Sequence, residues 1–223
     1  EVSDRLTVSP GYVDTGLFSP SGRDRSQIRR ALSNPAWHTE DFCFFTLRRQ
    51  TRRMGIGNLI RACALLRENL ARGGSGRLFR LIVGGGGPLR TEYENLARSL
   101  SLTDIVYFEG QVADSDLPRH YEAADCFVLP TRALECFGLV VLESWAVGTP
   151  VIATPVAAIP ELIGPFKEDC LTRGCSASDI AESMQRVLLE RPFEGRQQEF
   201  RREALRYDKE TALSDLERLV RGC

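Results

Sequence analysis

The chain reads as an α/β protein, a Rossmann-like parallel sheet of about six strands with helices on both faces. Three observations predict it. Short apolar runs at 42–46, 78–83, 105–108, 126–129 and 151–153 have the length of buried strands rather than helices. Longer stretches between them place apolar residues at helical spacing. Gly and Pro punctuate the changes, as in Gly84-Gly-Gly-Gly-Pro88 and Gly148-Thr-Pro150.

The chain has 223 residues, 43% of them hydrophobic, and a net charge of −1. That composition supports a packed core and excludes disorder. It gives bulk electrostatics no reason to attract nucleic acid or an anionic membrane. No apolar run reaches membrane-spanning length. The chain begins at Glu1 rather than Met, so it is expected to be part of a longer protein. The seven cysteines, at 43, 63, 126, 136, 170, 175 and 223, are expected to be reduced thiols of a cytosolic protein. Cys170 and Cys175 lack the second pair that a zinc site needs. His38 and His120 read as structural.

Taken in order, residues 6–8 suggest a short strand, and Pro10-Gly11 a turn. A helix follows to Leu32, its Arg23, Arg25, Arg29 and Arg30 forming a solvated basic face. The strand at 42–46 runs into an arginine-rich loop (Arg48, Arg49, Arg52, Arg53), then a helix over 56–68 with Leu59, Ile60, Ala62 and Leu66 on one face. After the strand at 78–83 comes the glycine run. Its spacing fails the dinucleotide fingerprint, because Leu89 stands where the third Gly belongs. Pro88 is placed as the first residue of a helix to Leu100. The strand at 105–108 leads to the loop Glu109-Gly110-Gln111-Val112. Asp114-Ser-Asp116 spells a D-x-D, but it directly precedes a helical stretch at 117–124, so these residues read as N-caps rather than metal ligands. The strand at 126–129 stops at Pro130. A helical pattern begins near Gly138, and the strand at 151–153 follows. Beyond Ser176 the chain is helical, at 178–189, through a charged stretch to Arg206, and at 209–220.

The chemistry gathers at the carboxyl edge of this sheet, where open parallel sheets bind ligands. Glu135 lies on the loop after the strand at 126–129, and Glu143 faces the same edge from the first turns of the next helix. The N–H groups of Phe137, Gly138 and Leu139 open that helix and suit a phosphate oxygen. Two carboxylates beside such a site accept sugar hydroxyls; the plainer alternative is a solvated pair. The arginines after the first strand sit at the same edge, and their planar forks suit phosphate or, more simply, the surface.

Glu135-Cys-Phe-Gly-Leu-Val-Val-Leu-Glu143 resembles the E-x7-E motif of the retaining GT-B glycosyltransferases of family 4, the group 1 type. The likeness runs through "YEAADCFVLPT" upstream and "SWAVGTPVIATPVAAIPELI" downstream, and spans about residues 5 to 190. It implies the C-terminal, donor-binding half of a GT-B fold. Residues 1–20 would be the interdomain linker, 21–190 the nucleotide-sugar domain, and 191–223 helices packing back toward an N-terminal acceptor domain. By the resemblance Glu135 contacts the donor sugar at the reacting centre and Glu143 the ribose. Arg49 takes the place of the family's diphosphate Arg. Met54 stands at the Lys position, so that role passes to Arg53, with the amides of Phe137, Gly138 and Leu139 beside it. Gly110, Gln111 and Val112 face the nucleobase. Arg48 stands where the family has Gly, and Ala157 and Ala158 where it has Gly-Gly; Glu161 reads as structural. The implied reaction moves a sugar from a UDP- or GDP-sugar to an acceptor, with retention, no metal and no cofactor. The implied location is the cytoplasm, with membrane association only through the other domain. The rivals are an epimerase or phosphorylase of similar architecture, and a module that only binds nucleotide.

Overall fold

The structure, a computed structural model, describes residues 11–221; the expected strand at 6–8, Pro10 and Cys223 lie outside them. Its strands are β1 (Phe42–Leu47), β2 (Phe79–Gly84), β3 (Val106–Gly110), β4 (Cys126–Leu129) and β5 (Val151–Ala153). They form one parallel sheet in the order β3-β2-β1-β4-β5. The expectation of about six strands is therefore corrected to five among the described residues. At the sixth place Leu171 makes only an isolated parallel bridge to Ala153, and Thr172 N–H reaches the Ala153 carbonyl at 2.9 Å. Only that one register is paired, because a short helix ends at Cys170 immediately before it.

The order reverses at β1. From there the chain builds outward through β2 and β3, then returns to place β4 on the other side of β1. Such a switch point opens a crevice outside the carboxyl ends of the two strands. Strands β1, β4 and β5 are buried almost throughout, as expected for a sheet covered on both faces.

The helices are α1 (Arg25–Ala31), α2 (Ile56–Arg72), α3 (Arg90–Ser99), α4 (Leu117–Ala123), α5 (Leu139–Ala146), α6 (Ile159–Ile163), α7 (Lys167–Cys170), α8 (Ala177–Glu190), α9 (Gln197–Leu205) and α10 (Lys209–Arg221). One group is α2 packed on α3 and α8; the other runs α1, α4, α5, α9 in contact. Capping explains α8: Ser176 and Asp179 exchange hydrogen bonds in a capping box. Helix α3 begins at Arg90 rather than at the expected Pro88, since the residues after the glycine run form a turn in which Arg90 N–H bonds the Gly87 carbonyl.

Three other expectations need correction. Arg29 is buried, not solvated. Its guanidinium donates to the carbonyls of Ala123, Thr39 and Asp41 and to Asp125 at 2.6 Å, an acid that also holds Arg25 and the Cys43 amide. Asp114–Asp116 is a short 3-10 turn leading into α4, and no side chain there makes a cap bond. Glu161 is exposed in the first turn of α6.

Aromatic packing joins the C-terminal region to this core. Phe200 of α9 stacks on Trp145 of α5 and touches Phe166 and Phe193. The segment before α1 returns to the other end of the chain: Val13 and Tyr207–Lys209 exchange backbone hydrogen bonds at 2.9 Å. Among the described residues Cys43, Cys63, Cys126 and Cys170 are buried free thiols, Cys175 is half-buried and Cys136 exposed. Burial pushes Cys43 up to about 11 and Cys170 up to about 12, so neither is a thiolate at neutral pH.

Candidate functional site

Two loops meet at the switch point. The loop after β1 carries Arg48 to Gly55, and the loop after β4 carries Pro130 to Gly138. They touch as backbone on backbone. Gly55 has φ 77°, and a Cβ there would lie 1.7 Å from the Pro130 carbonyl oxygen, so only glycine fits. Arg132 N–H bonds the Arg53 carbonyl at 2.8 Å, and Arg53 Nη1 bonds the Leu134 carbonyl at 2.9 Å.

The glycine run after β2 is built against the first of these loops. Gln50 N–H bonds the Gly86 carbonyl at 2.8 Å, Gln50 Nε2 bonds the Gly85 carbonyl at 3.0 Å, and Leu89 N–H bonds the Gln50 carbonyl at 3.2 Å. Joined through the backbone and the buried Gln50 side chain, the two loops form one continuous floor.

Over that floor opens a cleft of about 580 Å³, walled by Leu47, Arg48, Arg49, the Gly85–Gly87 backbone, Gln111, Val112, Asp114 and Leu117. Three residues expected at a donor site, Arg49, Gln111 and Val112, therefore share one hollow. Gly110 does not line it: it is buried in the pairing of β2 with β3, and its carbonyl is taken by Gly85 N–H at 2.6 Å. Its part is to shape the loop that presents Gln111. Arg53 is exposed and off the wall, tying the two loops together.

Glu135 is half-buried and held from two sides. Thr131 Oγ1 donates to Glu135 Oε2 at 3.1 Å, and Arg48 Nη2 forms a close ion pair with the same oxygen. Arg48 Nη2 also reaches Thr131 Oγ1 at 3.1 Å and Met54 Sδ at 3.0 Å. The Arg48 side chain is only 8% exposed and its Nε has no partner among the described residues. Arg48 thus spans from the cleft wall to Glu135.

Glu143 lies in α5, behind the wall. The hydroxyl of fully buried Tyr121 donates to Glu143 Oε2 at 2.6 Å. Burial pushes the Glu143 carboxyl above its ordinary range, against the Tyr121 hydrogen bond, and the charge of Asp114 raises it further while that of Arg48 lowers it. Both of those neighbours line the cleft, but Glu143 itself is not among the residues that wall it.

Helix α5 opens beside Glu135. Its first internal bond runs from Val141 N–H to the Gly138 carbonyl at 2.8 Å, which leaves the amides of Phe137, Gly138 and Leu139 outside the helical ladder. Gly138 has φ 93°, and a Cβ would meet Ile159 Cδ1 at 2.5 Å, so it is the protein's own packing that demands glycine. The Phe137 ring lies edge-on to Tyr207, beside Gly11, and Leu139 is exposed. The mouth of α5 thus abuts the crossing of the two chain ends.

Arg48, Asp114, Leu117, Thr131 and Tyr121 are site residues that the pattern did not single out. Arg48 had a readable signal: it is the first charge after an unbroken apolar strand at the sheet's carboxyl edge. Asp114 showed only as half of a D-x-D read as a cap, and the rest had no signal, since the strand order brings them to the site. Among the described residues no three His, Cys, Asp or Glu side chains are placed to hold a metal ion. No helix there is long and apolar enough to cross a membrane.

Comparison with known proteins supplies the setting. The family described as Glycosyl transferases group 1 matches residues 28–206. A D-inositol 3-phosphate glycosyltransferase of Actinosynnema mirum is 36% identical over 188 residues, covering 82% of this chain and 43% of the relative. A GDP-mannose-dependent alpha-(1-6)-phosphatidylinositol monomannoside mannosyltransferase of Mycobacterium tuberculosis is 30% identical, covering 83% and 47%. Among solved structures, sucrose-phosphate synthase of Thermosynechococcus elongatus superposes with a TM-score of 0.80 at 27% identity, over 97% of this chain and 52% of that one. Anabaena HepE, solved with UDP and glucose, shares the fold at a TM-score of 0.79 and 21% identity, over 95% and 56%. The chain spans less than half the length of the two curated relatives.

Proposed function

Since the chain belongs to the group 1 glycosyl transferases, we propose that its switch-point cleft binds the nucleoside diphosphate of a sugar donor, for transfer with retention and without an essential metal. One observation carries this reading: Arg48 and Arg49 wall the cleft over a glycine floor, and Arg48 connects it directly to Glu135. Permanently charged guanidinium groups neutralise a diphosphate without a metal ion. Gln111 and Val112 line the end suited to a base. Glu143 takes the ribose hydroxyls as an acceptor held ready by Tyr121. Glu135, next to the amides that open α5, takes the donor sugar. The relatives act on inositol phosphate and on phosphatidylinositol mannoside, by their names, and one uses GDP-mannose. We take a UDP- or GDP-sugar as the donor class.

The acceptor is assigned to the half of the protein that precedes this domain, as the relatives' greater length supports. Residues 1–20 would lead from that half, 21–190 hold the donor, and 191–223 reach back toward it. Apolar side chains left exposed near the chain's crossing, Tyr12, Leu17, Leu134 and Leu139, fit such a neighbour. By itself this chain would bind donor and transfer nothing. The reaction is assigned to the cytoplasm.

Calorimetric titration tests the reading. UDP or GDP should bind in the presence of EDTA, and NAD should not. Glu143→Ala should weaken the diphosphate, whereas Glu135→Ala should mainly weaken the intact sugar nucleotide. Tight NAD binding with none for either diphosphate would overturn it.

A further inference from the structure

One residue at which this chain departs from the family pattern, Arg48, also walls the cleft. Arg48 stands at a position the family gives to Gly, so no family role transfers to it. Its side chain is nine-tenths buried, a costly place for a charge unless each donor is used. Nη2 is used three times, on Glu135, Thr131 and Met54. Nε–H is buried and unused. Buried donors without partners are rare, and one that belongs to a residue on a cleft wall marks the place of a missing acceptor. The surroundings narrow what that acceptor is. Arg49 adds a second cation to the same wall, Asp114 one carboxylate, and the Gly85–Gly87 backbone no side chain. An anion in the cleft meets two guanidinium groups against one acid on that wall. Glu135 bounds the other end of the Arg48 fork, where our reading puts the sugar.

We propose that Arg48 is a donor-binding and positioning residue. It occupies one oxygen of Glu135 and gives its Nε–H to the phosphate nearest the sugar. The inference rests on the function proposed above. It differs from the diphosphate role assigned to Arg49, which lines the cleft and is exposed. It has a consequence of opposite sign to ordinary site mutations. Glu135 and the phosphate compete for one guanidinium charge, so removing the charge of Glu135 strengthens the grip on a bare nucleoside diphosphate.

The test uses the full chain, with UDP, GDP and the matching monophosphates, in wild type, Arg48→Met, Arg48→Lys, Glu135→Gln and the double variant Arg48→Met/Glu135→Gln. Thermal melts establish that each is folded. Arg48→Met should weaken the diphosphate about ten- to hundredfold, the range of a lost hydrogen bond to a charged group. It should change the monophosphate less than threefold, because the phosphate nearest the sugar is then absent. Glu135→Gln should tighten the diphosphate severalfold, and should do nothing in the Arg48→Met background. Arg48→Lys keeps the charge without the fork and should fall between. A folded Arg48→Met with unchanged diphosphate affinity, or with equal losses for mono- and diphosphate, overturns this inference and leaves the donor site standing. Should Arg48→Met fail to fold, Arg48→Lys and Glu135→Gln decide: wild-type affinity in both overturns it. Wild-type chain that binds no nucleotide removes the site and the inference together.

Discussion

A single carboxyl group, that of Glu143, couples the buried interior to the cleft. Its folded pKa is raised, chiefly by burial, so between the ordinary carboxyl value and the raised one the folded chain holds a proton that the unfolded chain has released. Stability from this group is present below that window and is lost as pH rises through it. Glu143→Gln should flatten this part of the pH–stability curve, as read by urea denaturation between about pH 4 and 8. If ribose hydroxyls donate to Glu143, its ionised form binds nucleotide better. UDP or GDP affinity should then rise with pH over the same window in wild type and not in Glu143→Gln. Arg29 makes a different residue-scale prediction. Each of its three nitrogens donates to a buried or half-buried acceptor, and Arg29→Ala would leave three carbonyls and part of Asp125 unsatisfied. A cost of about 3 kcal/mol is expected in denaturant unfolding, with nucleotide affinity unchanged in the folded fraction.

At the scale of elements, the site depends on how two loops and one helix are fastened. Gly55→Ala drives a methyl into the Pro130 carbonyl and strains a left-handed backbone. It should cost at least about 3 kcal/mol and weaken nucleotide binding, since Arg48 and Glu135 ride on the two loops it would separate. Helix α5 is held from outside by α9 through the stack of Phe200 on Trp145. Phe200→Ala should cost about 3–5 kcal/mol, the usual range for a buried aromatic truncated to Ala, and a thermal melt would show it. The elements also explain which expectations held. Strands β4 and β5 and the span of α5 were readable because their apolar runs are bounded by Pro130, Gly138 and Gly148. The glycine run was readable as a turn but not as a floor. Its hydrogen-bond partner, Gln50, comes from another loop, and no local signal announces that.

For the whole molecule, the strand order carries the function. Placing β4 beside β1 brings Arg48 and Glu135 into contact across 87 residues of sequence. Nucleotide should therefore stabilise the entire sheet rather than one loop. Saturating UDP or GDP, at about a hundred times Kd, should add about 2.7 kcal/mol to unfolding, with the same increment in EDTA. If an acceptor-binding half accompanies this domain, as proposed, joining the two should convert binding into transfer, as read by release of nucleoside diphosphate in the presence of acceptor.

Local chemistry written along the chain was enough to settle the fold class and the position of the carboxyl edge, and it put Glu135 on the loop after β4. Periodicity and turn residues are local properties, and the sheet's covered faces follow from them. The folded chain alone decided which arginine is buried and which is free, that Gly110 supports the cleft rather than lining it, and that Glu143 is engaged by Tyr121. Those facts depend on which strands lie side by side. The energy that selects the neighbours comes from burying the whole core at once, and it leaves no mark at any one position of the sequence.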